Sequence, residues 1–316
     1  MAEQASSAAD VRTYRIESGP YRAEVVSTGA GLRMLECVVD GAPVALTESW
    51  TAGEKPPLSA GLVLAPWPNR IRDGAFEFLG EKHQLEITEE QRHNANHGLV
   101  RRREWQLGVH DDDKVTQTIE LGVGGGWTYP IELSVTHEVS DDGLAVTHTA
   151  TNTGDEPAPF GLGVHTFLRG GDAPLDECSF RLPATSRLPL DPERNLPTGI
   201  SEPVRGTDLD LREPRELKGM QLDVPFSGLV PDGDGRARCV LTAPDGTAAA
   251  LWTEAAFRWV QVFIADPAND QAYPGRGRAL AVEPMTCPPD AFNSGIDVIV
   301  LAPGQSWAGR WGIQAL

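Results

Sequence analysis

Aspartate-glycine pairs recur along the chain, at Asp40-Gly41, Asp73-Gly74, Asp142-Gly143, Asp232-Gly233, Asp234-Gly235 and Asp245-Gly246. Asp-Gly accepts the positive φ that a tight hairpin turn demands, so each pair is a short-range hairpin signal. The flanks behave as hairpin arms. Ahead of Asp142-Gly143, residues 131–139 read IELSVTHEV; after it, residues 144–150 read LAVTHTA. Both alternate apolar with polar at period two and are rich in Val and Thr, the pattern of a strand with one buried face. Residues 35–44 repeat the pattern around Asp40-Gly41, and residues 239–251 around Asp245-Gly246.

Helical periodicity is weak by contrast. Residues 86–93 and 212–219 are each expected to hold a turn or two of helix, and the proline-rich stretch 183–203 to run as loop. The 33 Gly and 25 Pro are spread through all 316 residues rather than gathered into a linker, and no fixed-period repeat is evident. The expectation is a single all-β domain over residues 11–316, a large β-sandwich with few short helices, preceded by a disordered tail at residues 1–10.

Acidic residues outnumber basic ones 45 to 27, a formal net charge of −18. Such a surface repels phosphate backbones and anionic lipid, which argues against nucleic acid or a membrane as partner and for a neutral ligand over a polyanion. Cys37, Cys178, Cys239 and Cys287 are far apart and form no C-x-x-C pair, which points to a reduced compartment and away from structural zinc. Residues 1–10 hold Glu3 and Asp10, no basic residue, and no apolar core follows, so no secretory leader is expected. No apolar run approaches the ~20 residues of a membrane helix. A cytoplasmic protein is the resulting expectation.

Four segments gather polar groups among strand-like or turn-like residues: PWPNRI at 66–71, NANHGL at 94–99, GLGVHTF at 161–167, and VEPMT at 282–286 followed by PDAFNSG at 289–295. Singly, each has an ordinary reading. Arg70 suits a structural ion pair, His97 a loop cap, and His165 a satisfied core histidine. Glu283 is different, because it follows Leu280-Ala281-Val282 and precedes a proline. A carboxylate at the end of a buried strand is costly unless it is paired or at work. Other suggestive stretches carry little. No helix pattern follows the glycine-rich 122–126, so it is no phosphate cradle. A calcium loop starting at Asp232 would need Glu at its twelfth position, where Ala243 stands. Residues 110–113, HDDD, read as a hairpin tip.

In this order the segments resemble the aldose 1-epimerase (galactose mutarotase) family. Asn69-Arg70-Ile71, with Gly74 and Phe76 after it, resembles the family's arginine motif, and Asn96-His97-Gly98 its first histidine motif. Val164-His165-Thr166-Phe167 resembles the second histidine motif, and Val282-Glu283-Pro284-Met285-Thr286 the glutamate motif. Asp223, within LDVPF at 222–226, stands where the family has a sugar-binding aspartate, and Pro303-Gly304 resembles its closing turn. The matches span roughly residues 60 to 305. Two departures, Leu168 after Phe167 and Asn96 before His97, fall at the sugar pocket and bear on which sugar is used.

The resemblance implies a galactose mutarotase-like supersandwich that interconverts the α and β anomers of a free aldohexose such as galactose or glucose. It makes Glu283 the base and His165 the acid. Arg70, His97, Asn69 and Asp223 would hold the sugar, with Trp67, Phe292 and Trp259 as an apolar wall for its C–H faces. The reaction calls for no metal, nucleotide or redox cofactor, and the expected partner is a small-molecule sugar; the protein would be a monomer or homodimer. Three other readings remain open. A non-catalytic sugar-binding protein on this fold would be marked by loss of Glu283 or His165. A glycoside hydrolase would use Glu283 and Asp223 as its carboxylate pair. A hexose-6-phosphate mutarotase would need basic residues at the pocket mouth, where Arg101-Arg102-Arg103 could serve.

Overall fold

The Asp-Gly hairpins form where the alternation predicts them. In the computed structural model, which describes residues 11–316, Ile131–Ser140 and Gly143–Asn152 pair antiparallel and close on a Ser140–Gly143 pair. Leu32–Val39 turns into Ala42–Ala45, and Ala237–Thr242 into Ala248–Thr253, across the other two pairs. The HDDD stretch is the tip between Gln106–His110 and Lys114–Leu121. The tail expected at residues 1–10 lies outside the described residues.

The hairpins build two large antiparallel sheets and a four-stranded one. The nine-stranded sheet runs Gln106–His110, Lys114–Leu121, Ile131–Ser140, Gly143–Asn152, Ser306–Ala315, Ala248–Thr253, Ala237–Thr242, Ser179–Arg181 and Arg215–Glu216. The eight-stranded sheet runs Glu202–Pro203, Ala184–Arg187, Asp223–Leu229, Trp259–Ala265, Ala279–Met285, Gly163–Val164 and Val63–Leu64, with Phe167–Leu168 also paired to Ala279–Met285. The inner faces share one hydrophobic core, to which Val135, Val146 and Leu251 come from the first sheet and Val260, Val262, Leu280 and Val282 from the second. Ala291–Ser294 is the only α-helix among the described residues, and the all-β expectation with few short helices is what the chain adopts. No helix among them is long and apolar enough to cross a membrane.

The two sheets differ in burial, and that difference places the site. Ile131–Ser140 alternates buried with exposed or half-buried positions. Ala279–Met285 is buried at every position, and Trp259–Ala265 at all but one. A strand buried on both faces has something packed over its second face. Here the segments bearing Asn69, Arg70, His97 and Arg101 share a cavity with Gln261 and Glu283 on that second face.

Local expectations fare unevenly. Residues 86–93 hold one 3₁₀ turn, Glu90–Arg92, stopped by His93 in the left-handed region at φ 52°. Residues 212–219 form no helix: Arg215–Glu216 is the outermost strand of the nine-stranded sheet. Pro214 explains the failure, since proline disfavours helix at the residue before it and donates no hydrogen bond. Residues 183–203 are not all loop, because Ala184–Arg187 and Glu202–Pro203 end the eight-stranded sheet. Pro203 is tolerated there because an edge strand can do without one ladder donor.

Candidate active site

Strand register assembles the floor of the site. Across Trp259–Ala265 and Ala279–Met285, Gln261 pairs with Glu283 and Phe263 with Ala281. On the other flank Asp223 pairs with Phe263. Partners in an antiparallel ladder project to the same face, and so do residues two apart. Asp223, Gln261, Phe263 and Glu283 therefore stand together on the face away from the core. The second histidine follows from the same arithmetic. Phe167 pairs with Ala281 and Gly163 with Met285, so the intervening His165 falls opposite Glu283. Its Nε2 lies 3.5 Å from Glu283 Oε1.

The roof comes from two short paired segments, Arg70–Arg72 and Asn94–Asn96, in which Arg70 faces Asn96. Asn69 and His97 flank them at φ 54° and 60°. Each residue holds the other: His97 N donates to Asn69 O at 2.7 Å, and Asn69 N to His97 Nδ1 at 3.2 Å. An Nδ1 that accepts leaves the proton of a neutral ring on Nε2. Gly98 lets this segment approach, for a Cβ there would lie 2.0 Å from the carbonyl oxygen of Ala65.

Roof and floor are joined by a hydrogen-bonded row. Arg70 makes a two-pronged ion pair with Glu89, at 2.8 and 2.9 Å, and donates through Nη1 to Asn69 Oδ1 at 3.0 Å. Asn69 Nδ2 donates to Gln261 Oε1 at 3.2 Å, and Gln261 Nε2 to Asp223 Oδ1 at 2.6 Å. The second oxygen of Asp223 accepts from Asn195 Nδ2. All of these groups except Asn195 line one cavity of about 330 Å³, together with His97, His165, Phe263 and Glu283. That volume suits a small molecule of modest size.

Electrostatics single out the Glu283–His165 pair. Glu283 is 2% exposed, and burial lifts its pKa well above the usual carboxylate range; the Asp223 carboxylate raises it further and Arg70 opposes. Burial pushes His165 the other way, to about 3, with Arg101 and Arg70 adding to the fall. Both groups thus favour their uncharged forms. Glu283 Oε2 and His165 Nδ1 are buried without a hydrogen-bond partner among the described residues. Unpaired polar atoms in so dry a place are costly unless a ligand engages them. His97 is held well below its ordinary value by burial, with the neighbouring His165 ring and the charges of Arg101 and Arg70 disfavouring its protonation further. Arg70 is held above its ordinary value by Glu89, against the pull of burial. Such a site offers a base, an acid and fixed donors and acceptors for hydroxyl groups.

Of the residues singled out in the sequence, Glu283, His165, Arg70, His97, Asp223 and Asn69 meet in this cavity. The aromatic residues do not. Trp67 and Phe292 pack with Trp127, at ring distances of 6.1 and 6.2 Å, inside the core. Trp259 packs with Leu188 and Met285 and donates its indole N–H to Asp297 at 2.8 Å. Their bulk is better spent filling the interior, and among the described residues the cavity takes its benzene-type ring from Phe263. Arg101 and Arg102, named for the sugar-phosphate reading, also line the cavity, whereas Gln261, Glu89 and Asn195 had not been singled out. Gln261 carried a usable signal, a lone amide in the apolar run WVQVFIA. Glu89 and Asn195 carried none, since each reaches the site from a loop whose path the sequence does not reveal.

Residues 12–314 match the model of the aldose 1-epimerase family. The uncharacterized protein YihR of Escherichia coli K12 is 31% identical over 93% of this chain and 90% of its own. Human galactose mutarotase is 30% identical over 72% of this chain and 68% of its own. Among solved structures, a GalM/aldose epimerase homologue from C. elegans superposes with a TM-score of 0.84 at 19% identity, covering 97% of this chain and 99% of that one. That superposition establishes the fold as galactose mutarotase-like.

Proposed function

Because the chain belongs to the aldose 1-epimerase family, we propose that it is a mutarotase, exchanging the α and β anomers of a free aldose by acid–base opening and closure of the ring. The observation that carries this reading is the buried Glu283–His165 pair, 3.5 Å apart, with a free carboxyl oxygen on one member and a free ring nitrogen on the other.

One proton shared by the pair is enough. With it on His165, the Glu283 carboxylate accepts the proton of the C1 hydroxyl while His165 gives its own to the ring oxygen. The bond between C1 and the ring oxygen breaks, its electron pair leaves with that oxygen, and C1 becomes the aldehyde. Both side chains are now uncharged, the condition their burial favours. Rotation about C1–C2 presents the other carbonyl face. Closure returns the protons, from Glu283 to the carbonyl oxygen and from the new hydroxyl to His165. Arg70, Asn69, Gln261, Asp223 and His97 hold the hydroxyls that do not react. A catalytic acid or base is typically worth ~10²–10⁴-fold, which suffices for a reaction that already proceeds in water.

The test is polarimetry on freshly dissolved α-D-glucose and α-D-galactose. Wild type is expected to speed relaxation, and Glu283→Gln to lose about 10²–10⁴-fold of that rate while still binding sugar. A Glu283→Gln variant as fast as wild type would remove Glu283 from the mechanism.

A further inference from the structure

We propose that the aldose used here carries an anionic group, such as a phosphate or a carboxylate, on a carbon away from C1, and that Arg101 with Arg102 binds it. The inference rests on the mutarotase reading and narrows its substrate.

The chain as a whole is strongly acidic, with a net charge of −18, yet Arg70, Arg92, Arg101 and Arg102 all line the one cavity. Arg70 is committed to Glu89. No carboxylate oxygen among the described residues lies within the 4.0 Å of an ion pair from Arg92, Arg101 or Arg102. Several little-exposed arginines are set against acids: Arg33 on Glu24, Arg276 on Glu48, Arg238 on Asp232 and Asp234. Arg101, the most buried arginine among the described residues, is not. It is 9% exposed, and its side-chain partners are neutral: Ser59 Oγ at 3.2 Å and the carbonyl of Asn96 at 3.5 Å.

A buried cation without a counter-charge is expensive. Burial and the neighbouring Arg102 lower the Arg101 pKa to about 10 against a smaller opposing pull from Glu89, which is beyond ion-pair distance and already bound to Arg70, so Arg101 stays charged at neutral pH. A guanidinium offers five donors in a planar fork that matches phosphate and carboxylate oxygens. An anion arriving on the sugar would supply the missing partner. The chain also links recognition to chemistry, because Arg101 follows His97 by four residues and donates to the backbone of Asn96.

The experiment compares anomer exchange of D-glucose, D-glucose 6-phosphate and D-glucuronate by two-dimensional exchange NMR. Wild type, Arg101→Gln and the exposed-site variant Arg102→Gln are each measured. Wild type is expected to prefer at least one charged sugar over glucose in kcat/KM, and the arm that wins identifies the group. The charged-to-neutral ratio is expected to fall about 10- to 100-fold in Arg101→Gln, and by less in Arg102→Gln. Equal or better turnover of glucose than of both charged sugars would overturn the inference. So would a ratio unchanged in both variants. Calorimetric titration with glucose 6-phosphate separates this failure from that of the mutarotase reading. Arginine-dependent binding without turnover of any sugar keeps the anion site and removes the mutarotase; turnover of glucose alone does the reverse.

Discussion

An ionised Glu283 has little to offset its desolvation. It is 2% exposed, Oε2 is unpaired, and its nearest named partner is a histidine that burial keeps neutral. Its folded-state pKa stands well above the ordinary 4.5. A group raised in this way stabilises the fold below its unfolded pKa, and that contribution is lost as pH rises through the folded value. Glutamine resembles the protonated acid and does not titrate. Glu283→Gln is therefore expected to match wild type in melting temperature near pH 4.5 and to exceed it by a few degrees at pH 8, about 1–3 kcal/mol. Calorimetry at the two pH values checks this. A variant less stable than wild type at pH 8 would mean that the carboxylate is well compensated after all.

At the scale of elements, the site is a product of register and of one close approach. Glu283, Gln261 and Asp223 share a face because their strands pair as they do, and the roof reaches them because residue 98 has no side chain. Gly98 sits at φ +65°, with Ala65 backbone atoms 2.0 to 2.8 Å from a would-be Cβ. Gly98→Ala is expected to cost at least about 1–3 kcal/mol and most of the activity, since His97 must move with it. Gly304→Ala, at φ +72° with open space around it, is the control for backbone strain alone. Thermal melts of the two, with their rates, separate clash from strain. The hairpins behind this arrangement were legible, because Asp-Gly turns and period-two alternation are local signals. The edge strand Arg215–Glu216 was not: two residues carry no period, and pairing with Ser179–Arg181 supplies what propensity does not. The site divides likewise. Glu283 stood out as a carboxylate in an apolar strand, whereas Glu89 and Asn195 look like any polar loop residue. Trp67 and Phe292 were misleading for a related reason, since an aromatic near a polar motif can face either side of a segment.

The whole molecule carries its own pH signature. His137 and His148 are buried in the nine-stranded sheet, and burial lowers each to about 3. His148 accepts the indole N–H of Trp311 at 2.9 Å, which requires an unprotonated Nε2. A histidine depressed from 6.5 stabilises fully above 6.5, and that stability drains as pH falls toward 3, by about 1.4 kcal/mol per unit for each group. The melting temperature should thus begin to drop just below pH 6.5, before most carboxylates titrate. His137→Leu, which removes a group with an unpaired Nδ1, should flatten the slope between pH 6.5 and 4.5. An unchanged slope would assign acid sensitivity to other groups. Charge also reads differently at this scale than at the cavity. The surplus of acids argued for an uncharged ligand, while three arginines with no acidic partner among the described residues, Arg92, Arg101 and Arg102, line the cavity.

The row from Arg70 to Asp223 has a sense of direction. The oxygens of Asn69 and Gln261 face the cationic end and their NH₂ groups the anionic end. Neither amide can turn round alone without setting oxygen against oxygen or donor against donor. The two behave like compass needles between opposite poles. Removing the charge of Asp223 would release Gln261, then Asn69, and Arg70 would lose an acceptor two residues away from the change. A hydroxyl arriving over Asn69 thus meets a dipole whose heading is set on another strand, and the floor of the cavity sorts its visitors by orientation as well as by fit.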